Sequence, residues 1–202
     1  MTVQRGQDWG RRVPRPPDLV EVADDAAAGA VLEQAREAGG PLPRLGLLGG
    51  DLRRTLGGST VDRLGDEVAE FVVDVGQTTL DGRVRWFVSH LVARRSWWRG
   101  EVLAAMNAQF LGRWDVAPRG HPNDGRLDVV HVVDLAVGDR WKAWRRLPQG
   151  AHVPHPGIQV QRVASLEVDL RRPTAVWLDG RPSGRATHLA LRVEPDALTV
   201  CV

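Results

Sequence analysis

The sequence predicts an α+β chain that is mainly β: a small α/β unit followed by a larger antiparallel β-sandwich. Two observations carry this reading. From Val68 onward, apolar or alternating runs of strand length recur, each bounded by Gly, Pro or Asp, with alternation clearest at Leu166, Val168 and Leu170. Ahead of them, one helical stretch stands between two short apolar runs, the pattern of a βαβ-like unit. The 202 residues, 43% hydrophobic and 26% charged, suffice to bury roughly 70% of the unfolded surface, which excludes a disordered or fibrous chain. No internal repeat is present.

Residues 1–17 carry Arg5, Arg11, Arg12 and Arg15 among Pro14, Pro16 and Pro17, a composition that resists helix and offers little to bury, so a flexible basic arm is expected. The α/β unit follows over 18–60. Leu19 to Val22 reads as a short strand, and Asp24 and Asp25 are good N-caps for an alanine-rich helix through Glu33 and Glu37, stopped by Gly39 and Gly40. Leu45 to Leu48 reads as a buried strand entering a tight turn at Gly49-Gly50. The sandwich occupies 61–202. Its expected strands are Val68 to Val75, Val84 to Val92, Val102 to Phe110, Leu127 to Val133, Ile158 to Leu170, Ala175 to Leu178, His188 to Val193 and Leu198 to Val202. Asp81-Gly82 and Asp179-Gly180 are hairpin signals, and Asp139 to Leu147 is a short helix.

Only Lys142 is lysine among 27 basic residues, the rest being arginine, and eight tryptophans accompany no tyrosine. Biased codon usage explains this as well as function does. Functionally, guanidinium pairs with phosphate while indole suits a headgroup zone. The basic-aromatic clusters are Arg94 to Arg99, with Trp97 and Trp98, and Trp141 to Arg146, with Trp144; they suit a lipid surface or stacking on single-stranded nucleic acid. For any one tryptophan, a core position flanked by solvated arginine is the plainer reading. The lone Cys201 forms no internal disulfide, and no run approaches the ~20 apolar residues that span a bilayer. A cytoplasmic chain is expected, with the membrane surface as a peripheral station.

Three segments can carry chemistry. Leu45 to Gly58 is a strand, a glycine turn and a helix start, and the N–H groups around Gly49, Gly50 and Asp51 could cradle phosphate; an ordinary turn has the same spelling. The loop with Asp115, Asp124 and Asp128 could seat a hard cation such as Mg2+, though Asn123-Asp124-Gly125 also spells a plain turn. His152 and His155, separated by proline, share no helical face and do not suggest zinc; Ser89-His90 shows no nucleophile elbow.

These residues resemble the diacylglycerol kinase family of lipid kinases, whose fold is shared with sphingosine kinases and NAD kinases. Asn107 to Val130 is similar to the family's Asn-containing strand, glycine bend, Ala117-Pro118 step and Asp124-Gly-x-Leu-Asp128 followed by valines. Leu147-Pro148, Gly150-x-His152, His155-Pro156-Gly157 and the Leu178-Asp179-Gly180-x-Pro182 hairpin follow in the family's order. Asp51-Leu52 and Arg54-Thr55-Leu56-Gly57 resemble its glycine-rich nucleotide segment with a deletion; an alternative alignment places Gly49-Gly50-Asp51 on the nucleotide loop. The resemblance implies a sandwich like the C-terminal domain of lipid kinases, with residues 18–60 as a remnant α/β unit. It also implies a Mg2+ seat made by the Asp124 carboxylate with the backbone carbonyls of His121 and Arg126.

The departures imply lost catalysis. Only 44 residues precede Leu45, when one βαβ unit takes about 30 or more, and Arg181 stands where the family has its acidic general base, a role arginine cannot fill. The expectation is therefore a non-catalytic protein that binds lipid or a partner, whether a subunit supplying the missing half or a second copy, through Trp97, Trp98, Trp141 and Trp144. The alternatives are an active ATP-dependent lipid kinase, with Gly49, Gly50 and Asp51 on the nucleotide and Asp179 as base, and a single-stranded nucleic-acid binder, for which there is no strong signal.

Overall fold

The computed structural model describes residues 9–80, 82–133, 135–151 and 155–202. Among these residues, thirteen strands and three α-helices run in the order β1 (Arg11–Pro14), β2 (Val20–Val22), α1 (Asp25–Glu37), β3 (Leu45–Leu47), α2 (Gly50–Thr55), β4 (Glu67–Leu80), β5 (Arg83–Phe87), β6 (His90–Arg94), β7 (Val102–Met106), β8 (Phe110–Leu111), β9 (Trp114–Asp115), β10 (Leu127–Val132), α3 (Val137–Arg146), β11 (Ile158–Val163), β12 (Ser165–Leu178) and β13 (Arg181–Cys201), with a 3-10 turn Leu147–Gln149 after α3. The fold is mainly antiparallel β, as expected. Its main path is β1-β4-β13-β12-β6-β7-β10-β11, with β5 added on β4 and the parallel pair β2-β3 joined to β13.

A strand, a helix and a strand, β2, α1 and β3, stand at the segments read as such in the α/β unit. Asp24 caps α1 by accepting from the Ala27 N–H (2.8 Å), and Ala28 and Leu32 turn inward. The unit is not a separate body, however. β3 pairs in parallel with Val200 and Cys201 of β13, and Leu32, Leu45 and Leu47 share one core with Val73, Val75, Leu198 and Val200.

Three expectations need correction. Residues 11–14 are not a flexible arm but an edge strand: Arg11 lies opposite Glu70 and pairs with its carboxylate (2.6 Å), Val13 packs inward, and Pro14 sits at the strand end, where a missing N–H costs little. Residues 1–8 lie outside the described residues, as do Asp81 of the first hairpin signal and His152. Of the four runs expected from Ile158 on, Ile158 to Leu170 breaks at Ala164 into β11 and the start of β12, while Ala175 to Leu178 joins β12 and the last two join in β13, because Pro173 and Pro195 each fall in a register shift, between Asp169 and Thr174 and between Glu194 and Leu198, where the ladder skips them. Conversely, Val84 to Val92 splits in two: the N–H groups of Val88, Ser89 and His90 turn to the Asp179 carboxylate. The Asp179-Gly180 hairpin is present, with both residues at positive φ (49° and 79°).

Candidate functional site

Two regions lie on either side of the β8–β9 hairpin. The first is a cluster of acids where α1, α2, the start of β6 and the β12–β13 turn meet. The Asp25 carboxylate accepts from the N–H groups of Asp51 (2.6 Å) and Leu52 (3.2 Å), so it caps α2. Gly50 permits this approach, since a Cβ there would stand 2.4 Å from Asp25 Oδ1. The Asp179 carboxylate accepts from Val88 (2.9 Å), Ser89 (2.8 Å) and His90 (3.1 Å) and presses on α1 at Gly29, where a Cβ would stand 2.5 Å from Oδ2. His90 Nδ1 lies 3.0 Å from Ser89 Oγ and 4.0 Å from Asp51. Burial dominates the titration here. It raises the Asp25 carboxyl to about 6 and, with the Asp25 charge adding, the Asp179 carboxyl to about 7, while it lowers the His90 imidazole.

The residues expected to meet nucleotide stand against a carboxylate of the chain's own. The N–H groups of Asp51 and Leu52, which a phosphate at this turn would need, donate to Asp25, and the Asp51 carboxylate accepts from Gly112 N (2.9 and 3.0 Å). These residues do not fit a bound phosphate. Asp179 is buried beneath α1, and Arg181 pairs with Glu33 (3.2 Å), which also holds Arg85 (2.6 Å). Donor atoms of Asp25, Asp51 and His90 lie within 4.8 Å of one another. Both carboxylates are nonetheless already engaged by backbone N–H groups.

The turn 121–126 stands apart from this cluster. Asp124 accepts from Arg126 N (3.0 Å) and pairs with the Arg162 guanidinium, whose Nε lies 3.4 Å from Asp128. The His121 ring accepts from Asn123 N (3.2 Å) and packs on Trp9, ring centroids 4.4 Å apart. Asp74 buttresses the turn from β4, accepting from Gly125 N (2.7 Å) and Asp196 N (2.9 Å). Burial raises the carboxyls of Asp74 and Asp124, and that of Asp128 to about 6. With Arg162 on its side chain, Asp124 does not fit Mg2+ as it stands.

The second region is an apolar cavity of about 100 Å3 between α3 and the face of β7, β10 and β11. Trp97, Trp98 and Trp144 line it with Leu111, Trp114 and Ile158; Trp141 does not, and lies half exposed on the outer side of α3 beneath Arg145. Trp97 meets Trp114 edge to face (5.1 Å), and Trp98 meets Trp144 at 5.9 Å. Arg140 ties α3 to the opposite rim by donating to the carbonyls of Leu135, Trp97 and Gly100. The Trp114 indole N–H is buried with no acceptor.

The β8–β9 hairpin is the wall between the regions. Leu111 and Trp114 face the cavity, while Arg54 donates to Gly112 O (2.8 Å) and stacks on Phe110 (3.8 Å). Sequence reasoning missed Asp25, Asp74, Arg162 and Trp114 as site residues. Asp74 could have been noticed as an acid inside an apolar strand; Arg162 could not, since only the register that sets it opposite Asp128 brings it in.

Comparison with known proteins agrees with this architecture. Solved structures described as diacylglycerol kinases of Bacillus anthracis str. Sterne superpose with TM-scores of 0.65 and 0.63, at 14% and 16% identity, over 91% of this chain and 77% and 75% of theirs. No curated protein matches in sequence. Among the described residues, no helix is long and apolar enough to cross a membrane. A family model, the YegS C-terminal NAD kinase beta sandwich-like domain, matches residues 66–202, and the chain accordingly belongs to that family, with the fold of the lipid kinases.

Proposed function

We propose that this chain is a diacylglycerol-kinase-like protein without phosphotransfer activity, which binds lipid by taking an acyl chain into the tryptophan-lined cavity. The observation that carries the reading is the cavity itself. Three of the four tryptophans singled out in the sequence converge on it, and its lining is almost wholly apolar, as the lining of ligand sites is. The unpaired Trp114 N–H supports a ligand that brings one oxygen acceptor, such as an ester carbonyl.

The absence of turnover is supported by three side chains. Phosphoryl transfer needs a held nucleotide, a metal and a base near the acceptor. Here the Asp25 carboxylate takes the Asp51 and Leu52 N–H groups, Asp179 is buried with three N–H bonds on its carboxylate, and Arg181 is paired with Glu33. Lipid is favoured over nucleic acid because the indole faces are already covered: Arg94 lies over Trp97 (4.4 Å), Arg113 over Trp144 (5.1 Å) and Arg145 over Trp141 (4.8 Å).

The test is quenching of tryptophan fluorescence in the full chain by vesicles whose lipids are brominated on the acyl chain, with diacylglycerol or phosphatidylglycerol added. Quenching is expected, weakened about tenfold in Trp98→Ala/Trp144→Ala, which removes well over 1.4 kcal/mol of contact. Folded protein that is not quenched overturns the lipid reading, and a second copy or another protein seated on the cavity would then show as a changed oligomeric state. Transfer of label from ATP and Mg2+ into diacylglycerol overturns the non-catalytic reading.

A further inference from the structure

The turn 121–126 is surrounded by acids. Asp124 belongs to it, Asp128 follows on β10, Asp74 reaches it from β4, and Asp196 touches it through Asn123 Nδ2 (2.9 Å). Such a concentration of partly buried carboxylates requires a counter-charge. Among the described residues, three cationic or titratable bases face it. His121 spends Nδ1 on Asn123 N, and Arg126 directs its guanidinium to the carbonyl of Arg162 (3.4 Å). Arg162 alone brings its guanidinium to two carboxylates, Asp124 through Nη2 and Asp128 through Nε. Its position is fixed by the sheet, because β10 and β11 pair with Asp128 directly opposite Arg162.

We infer that the Arg162 guanidinium is the resident cation of this turn, standing where a divalent metal ion would otherwise balance Asp124 and Asp128, so that the native chain excludes divalent cations there. The chemistry of the substitution is direct. Carboxylates and turn carbonyls are hard oxygen donors suited to Mg2+ or Ca2+, and a guanidinium neutralises the same carboxylates through a fork of N–H bonds without needing carbonyl ligands. Removing it leaves two carboxylates uncompensated, which either protonate or recruit a metal. This inference is independent of what the apolar cavity binds.

Trp9, packed on His121, supplies the readout, since an indole this close sensitises Tb3+ luminescence at the turn. For the native full chain, neither sensitised Tb3+ emission that Ca2+ displaces nor a Ca2+-dependent rise in Tm is expected. Arg162→Ala should show both, with Ca2+ binding tighter than native by roughly tenfold or more, and Asp124→Asn/Arg162→Ala should lose both. Arg162→Lys should behave as native. If Arg162→Ala folds only with Ca2+ present, the inference is supported; if it is unfolded in either condition, the milder Arg162→Gln is read by the same criteria. The inference is overturned by Tb3+ emission from the native chain that Asp124→Asn abolishes, or by a folded Arg162→Ala or Arg162→Gln that binds Ca2+ no better than native.

Discussion

Helices α1 and α3 cover opposite kinds of surface. α1 closes on a polar centre in which the Asp25 and Asp179 carboxylates are matched by backbone N–H groups, and Gly29 lets the helix descend until a methyl group would not fit. α3 spans an apolar hollow; its Gly138 has nothing within 4 Å of a would-be Cβ, and the buried indole N–H of Trp114 in the hollow's wall is unpaired. Carboxylates that find partners inside the chain leave little for a ligand to satisfy there, although Arg181 Nε beside Asp179 is itself buried without one, whereas the apolar space offers the single orphan donor of Trp114. One region is closed by its own polar side chains, and the other is an apolar hollow that stays open.

The largest expected effect breaks this contrast at the glycines. Gly29→Val should destabilise by about 3 kcal/mol, because Asp179 and Arg181 must both move. Gly138→Ala should instead stabilise by a few tenths to about 1 kcal/mol through helix propensity. Chemical denaturation of both variants measures the difference, and equal effects would mean that the two helices are packed alike.

Titration sharpens the contrast next. Asp25 and Asp179 have carboxyls raised to about 6 and about 7 on folding, so their contribution to stability is fully present below about pH 4 and is lost as pH rises through 6 to 7. His90, lowered by burial, acts in the opposite sense, losing stability as pH falls. The informative quantity is therefore a difference: the stability advantage of the native chain over Asp179→Asn should shrink as pH rises from about 5 to about 8. A pH-independent difference would show that Asp179 is ionised throughout.

The smallest effect lies in the hollow. Trp114→Phe keeps an aromatic ring, smaller than the indole, and removes the orphan donor; the lost packing opposes the relieved burial, so the stability of the free protein should change by no more than about 1 kcal/mol, while affinity for an ester-bearing lipid falls by about 2- to 10-fold. An unchanged affinity would indicate that this N–H meets no ligand.

What could be read in the sequence was whatever local chemistry specifies. Asp24 before an alanine-rich run marks a capped helix, Gly49-Gly50 marks the strand-to-helix turn, and Asp179-Gly180 marks a hairpin with both residues left-handed. Trp97, Trp98 and Trp144 were legible as a group because aromatic density is visible in composition, yet Trp141, three residues before Trp144, faces away, and helical phase alone did not separate them. Illegible features depend on partners distant in sequence. Pro173 and Pro195 read as strand ends until their neighbours supply bulges, β1 needs β4 beside it, and Arg162 needs the β10–β11 register.

The clasp at Gly112 couples the two regions mechanically. Asp51 holds the hairpin tip through both carboxylate oxygens from a helix that itself rests on Asp25, so the wall of the hollow is anchored by a side chain on its far side. A ligand wide enough to push Leu111 and Trp114 aside would have to slacken the α/β seam as well. Selectivity for slender chains over bulky ones would then be enforced from the far side of the wall.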